Sequence, residues 1–223
     1  MKDSELRRKL AGLAAIAGPL VLSTADILAR GDILSNYTLL TYPALLIYLL
    51  ADTLVISSIL GLTRLLRNAP GGYAVFVSVA AFIGYMGGTN IWSEKITHWA
   101  MMQTDSTAYE GLIQGMPSDV WLASFLPIHS PGLFFSVSLL LLGVGFWRWT
   151  ELPRWTGAFL VAGALLFPLG RVSATLSIIL PSELALAAIL ASDLCLAISL
   201  VPLGWKLLSG KIAWSADSGP VQK

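Results

Sequence analysis

Charge is scarce in this sequence: 12% of its 223 residues are Asp, Glu, Lys or Arg, while 56% are hydrophobic. Soluble domains carry roughly 25% charge, so an ordinary water-soluble fold is excluded. Cysteine is nearly absent as well. Cys195 stands alone in an apolar run, which rules out an intrachain disulfide and a thiolate metal cluster. There are two histidines, His98 and His129, and no HExxH pair. Also missing are GxSxG, a phosphate-binding glycine loop and a GxGxxG that opens a βαβ unit, so no cofactor is expected. A formal net charge of +1 without a basic patch gives no basis for nucleic-acid binding. Finally, the alternating ten-residue stretches of a membrane β-barrel do not occur.

What the chain has in abundance is long apolar runs. Six of them, at 10–29, 42–62, 73–92, 131–147, 155–179 and 184–203, reach the roughly 17–25 residues that cross a bilayer. In lipid each must satisfy its own backbone hydrogen bonds, which predicts helices. Lys2, Arg7, Arg8, Lys9, Arg64, Arg67, Arg148, Arg154, Lys206, Lys211 and Lys223 fall on one side of these spans. Arg30 and Lys95 fall on the other, and Arg171 lies within a span. That asymmetry predicts cytoplasmic termini. Trp147, Trp149, Trp155 and Trp205 mark the inner interface, and Trp92, Trp99 and Trp121 the outer one.

The expected fold is therefore all-α: a polytopic membrane protein with six transmembrane helices in a single domain, 1–208, followed by a cytoplasmic tail, 209–223. The basic, apolar N-terminus is expected to stay as a span, because Asp3 and Glu5 are unusual in a signal peptide and the run is long enough to cross. Short loops at 67–72 and 150–154 make the helices on either side antiparallel neighbours. Residues 93–130 mix Trp, Met, Leu and Phe with charge, which predicts short interfacial helices capping the outer face.

The three spans that run inward end alike, in LGLTRLL (60–66), LGVGFWRW (142–149) and LGWKLL (203–208). Placing Asp52 on Asp193 also places Ser58 on Ser199. Three tandem hairpins related as parallel repeats would produce this pattern, and so would the common taste of cytoplasmic helix ends for Leu, Gly, Trp and a base.

Four ionisable side chains fall within the spans: Asp26, Asp52, Arg171 and Asp193. Insertion scales put a central carboxylate at about +2.5 to +3.5 kcal/mol, so such residues should face the bundle interior or a wet cavity. Asp26 is near the end of its run and is expected to be interfacial, close to Arg30 four positions on. Arg171 and Asp193 lie at comparable depth on either side of the turn at 180–183, which predicts a contact. Asp52, without a cation assigned to it, is the candidate for proton exchange, unless all three charges form a static network that fixes helix register. In GYMGGTN, Gly84, Gly87 and Gly88 allow close helix packing, and Asn90 is expected to face the same outer vestibule as His129. Glu94 and His98 share a helical spacing, but with no second motif no metal is expected.

The opening RRKLAGLAAIAGPL (7–20) and the segment HSPGLFFSVSLLLLGVGFWRW (129–149) resemble the small bacterial six-helix membrane proteins of unknown function. That resemblance implies a bacterial inner-membrane protein in contact with the lipid bilayer and supplies no catalytic residues.

Three functions fit these residues. The first is transport, sensing or small-molecule binding at an Asp/Arg site, with a small molecule or ion as ligand. The second is a membrane enzyme for a lipidic substrate, with Asp52 or Asp193 as acid and His98 or His129 as base. The third is an accessory scaffold that uses the GYMGGTN face and Met101–Met102 as contact surfaces.

Overall fold

Helix is the one open conformation that satisfies its own backbone without water. The computed structural model, which describes residues 3–29, 42–105, 107, 111, 130–176 and 179–212, is helical in nearly all of them, with no strand among the described residues. Helix α1 covers Asp3–Leu28, α2 Tyr42–Leu62, α3 Tyr73–Thr104, α4 Leu133–Trp149, α5 Arg154–Leu176 and α6 Ser182–Leu208. A 3₁₀ turn, Thr63–Leu66, extends α2, and another, Ser130–Gly132, leads into α4. Four stretches are long and apolar enough to cross a membrane: Ser4–Leu28, Ala44–Leu66, Arg154–Ser173 and Ser182–Leu208.

Two details depart from the sequence reading. Residues 93–104 are not a separate interfacial helix; they continue α3, whose 32 residues at about 1.5 Å each reach ~48 Å. SEKITHWAMMQT contains no Gly or Pro, so nothing in it stops the helix. The rest of the expected cap, 112–129, lies outside the described residues. The second detail is Ser182, which stands just before Glu183 and reads in the sequence as a plausible N-cap. It is already inside α6, whose capping position is held by Pro181 without a side-chain bond.

Each helix packs against its neighbours in the chain, and α6 returns to pack against α1, so the six form a closed ring in sequence order. Much of the buried face of α1 is built from small residues. On α1 the large residues Leu10, Leu13, Leu20 and Ile27 are exposed, whereas Ala11, Ala15, Ala25 and Ala29 are buried. Lipid tails are as apolar as leucine, so helices in a bilayer gain from close backbone approach, which small residues permit.

The close approaches recur along the ring. A Cβ on Gly12 of α1 would lie 2.8 Å from the carbonyl oxygen of Gly204 on α6, and one on Gly143 of α4 would lie 2.8 Å from that of Gly157 on α5. Six positions after Gly12 and after Gly157, Gly18 and Gly163 pack within their own hairpins, against Val55 and against Cys195 and Leu196. Gly84 and Gly87 of α3 press on the backbone of Phe135 and Gly132. Corresponding contacts thus appear in the α1–α2 and α5–α6 hairpins, and at the seams that join successive hairpins.

One end of the ring collects bases and tryptophans. Tyr73 at the start of α3 stacks edge-on with Trp149 at the end of α4, ring centroids 4.7 Å apart, and Trp147, Trp155 and Trp205 are exposed there. At the same end the Arg8 guanidinium donates to the carbonyl oxygen of Leu207 at 2.7 Å.

A charged cluster inside the helix ring

Helices α1, α2, α5 and α6 each contribute one polar side chain to a single cluster inside the ring. From α1, Asp26 is fully buried. It follows Leu22 by four positions and so lies on the stripe of Ala15, Leu22, Ala25 and Ala29 that faces the core. From α2, Tyr48 is also fully buried and donates its hydroxyl to Asp26 Oδ1 at 2.6 Å. Arg171, from α5, donates from Nη2 to Asp26 Oδ2 at 2.6 Å. Both oxygens of Asp26 therefore accept a short, charge-assisted hydrogen bond.

Aromatic rings hold the guanidinium from the sides. Arg171 Cζ is 4.6 Å from the centroid of Phe167 and 5.6 Å from that of Tyr48, within the range over which a cation is drawn to a ring face. Phe167 is backed in turn by Phe135 of α4, centroids 5.1 Å apart. Arg171 is the one member with appreciable accessible surface, 17% of its side chain.

Asp193, nearly halfway along α6, completes the cluster with 1% of its surface accessible. Asp26 and Arg171 are its charged neighbours. Among the described residues, no hydrogen-bond donor reaches either of its carboxylate oxygens. The helix around it is firmly held: Ser192 donates to the carbonyl of Gly163 at 2.9 Å and Ser199 to that of Thr156 at 2.8 Å, both on α5. Asp193 is thus fixed by its neighbours' contacts rather than by its own.

The expected Arg171–Asp193 contact is not formed as an ion pair: Arg171 pairs with Asp26, and Asp193 lies near both. The placement of Asp26 at an interface beside Arg30 is corrected. Depth along the chain suggested an end position, whereas the helix face turns the side chain inward, and Arg30 lies outside the described residues. Asp52, one turn beyond Tyr48 on α2, is partly buried, with Oδ2 opposite Gly88 of α3, where a Cβ would lie 3.3 Å away. Asn90 is exposed on α3. His129 and the side chains of Glu94 and His98 lie outside the described residues. Tyr48 carried no signal of its own beyond its place four residues before Asp52.

Arg171 is near the end of α5, Asp26 near the end of α1 and Tyr48 near the start of α2. The cluster therefore lies toward the end of the ring opposite the basic, tryptophan-rich rim. Chemically it combines two carboxylates, one guanidinium and one phenol in an apolar surround. It can hold a cationic charge or exchange a proton, but it offers no activated nucleophile. No protein-family model, curated protein sequence or solved structure matches the chain.

Proposed function

We propose that the chain is a six-span protein of a bacterial inner membrane, with both termini cytoplasmic, and that the Asp26–Tyr48–Arg171–Asp193 cluster is the working centre of a transport path for a small solute or ion. The basic rim then lies at the cytoplasmic surface, and the cluster is reached from the outer face, past Arg171.

The observation that carries this reading is Asp193: a buried carboxylate whose oxygens accept no hydrogen bond from the described residues, beside the Asp26–Arg171 ion pair. A scaffold is poorly served by such a residue. Leaving a buried polar group unsatisfied costs about 1–3 kcal/mol, more if it is charged, and an apolar residue of similar volume would avoid that loss. Buried ionisable groups that weaken the fold are expected where they do work.

The test is charge movement in proteoliposomes adsorbed on a solid-supported membrane, challenged in turn with steps of pH, sodium and ammonium. A transient current to at least one step is expected, abolished by Asp193→Asn while the variant keeps the helical circular dichroism of the parent. Absence of current to every step, or a current unchanged in Asp193→Asn, overturns the reading.

A further inference from the structure

The geometry of the cluster also points to what it takes up, an inference that rests on the cluster being the working site. We propose that Asp193 carries one exchangeable proton, shared toward Asp26, so that the species bound at the centre of the ring is a proton.

Among the described residues, the groups gathered at the pair are Asp26 from α1, Tyr48 from α2, Arg171 from α5 and Asp193 itself from α6. Asp52, also on α2, has its carboxylate at Gly88 of α3. One guanidinium offsets one carboxylate. With both acids ionised the four groups carry a net single negative charge, and an uncompensated buried ion is penalised by several kcal/mol. Two ionised carboxylates are also both acceptors, so their contact cannot be a hydrogen bond, in keeping with the unbonded oxygens of Asp193. Adding one proton changes both facts at once. The net charge falls to zero, and the contact between the acids becomes an O–H···O⁻ bond of the short, strong kind.

The donors decide which acid is protonated. Asp26 already accepts from Tyr48 on Oδ1 and from Arg171 on Oδ2, so both of its oxygens are taken by donors. Asp193 has no donor on either oxygen among the described residues. The step balances simply: a proton from the aqueous phase adds to an oxygen of Asp193, no other covalent bond changes, and Arg171 keeps its charge. A proton also needs no cavity, which suits a residue with almost no accessible surface, whereas a metal ion would require several further oxygen ligands.

Infrared difference spectroscopy of the full chain in lipid nanodiscs, titrated in H₂O and D₂O, tests this. At neutral pH the parent should show a protonated-carboxyl C=O band that shifts down in D₂O and fades as the pH is raised. Asp193→Asn should remove it, Asp193→Glu should move but keep it, and Glu183→Gln, at an exposed position at the start of α6, should leave it unchanged. No such band in the parent, or a band unaltered in both Asp193 variants, overturns the proposal. Should Asp193→Asn fail to fold, the parent and Asp193→Glu decide the matter alone. A band without any current would remove the transport reading and leave the proton site standing, and a current without a band would do the reverse.

Discussion

Two arginines fasten α1 into the ring, one near each end, and they do so by different physics. Arg8 reaches from α1 to the last turn of α6 and donates to a neutral acceptor, the Leu207 carbonyl. There it meets the negative end of a helix dipole at a partly exposed rim, an interaction typically worth about 0.3–1 kcal/mol. Arg171 reaches α1 from α5 and meets a fully buried carboxylate. In that setting the pair is held mainly by what breaking it would leave behind, a stranded charge in an apolar surround. The same side chain is a fastening at the rim and an obligation in the centre.

That contrast makes its strongest prediction at Arg171. Arg171→Ala should lower the unfolding free energy of the full chain in nanodiscs by about 3–5 kcal/mol, because it leaves the buried Asp26 carboxylate without its cation. Asp26→Asn should be milder, since Asp193 remains to receive the guanidinium. If Arg171→Ala unfolds no more readily than a rim variant, the contrast fails.

Tyr48→Phe removes one donor to an ionised, buried acceptor and should cost about 1.5–3 kcal/mol in the same measurement. Gly210→Ala tests the rim at its most constrained point. Gly210 ends α6 at φ +71°, bracketed by the bonds Lys211 N–H to Lys206 O at 2.9 Å and Gly210 N–H to Leu207 O at 3.2 Å. A Cβ there would be strained by the left-handed backbone and would lie 2.8 Å from Arg8 Nη1, for a loss of about 1–2 kcal/mol. Smallest of all should be Arg8→Ala, about 0.3–1 kcal/mol. A thermal-unfolding series in the order Arg171, Tyr48, Gly210, Arg8 would sharpen the comparison, and a reversed order would break it.

Asp26 shows where sequence reading stopped short. Its position near the end of an apolar run, four residues from Arg30, suggested an interface, because depth was the only coordinate considered. Its face was legible too: Ala11, Ala15, Gly18, Leu22, Ala25 and Ala29 form a stripe of mostly small residues at helical spacing, and Asp26 falls within it. Arg171 and Asp193 were easier, because a charge set inside a long apolar run has few places to go. Tyr48 could not have been singled out, since a tyrosine on a membrane helix has many uses and only a partner selects one. The glycines of GYMGGTN announced close packing, and Gly84 and Gly87 do pack on the chain at Gly132 and Phe135. The same run gave no sign that Gly88 faces Asp52.

Hydropathy and the placement of bases are properties of the chain read in one dimension. They were enough to determine where helices form and the segregation of cations to one end, because a backbone without water has so few alternatives. Which acid meets Arg171 was decided only when α6 closed against α1 and brought the four helices α1, α2, α5 and α6 around a common centre. Ion pairing depends on distances of a few ångströms between side chains 145 positions apart, and no local pattern encodes such a distance.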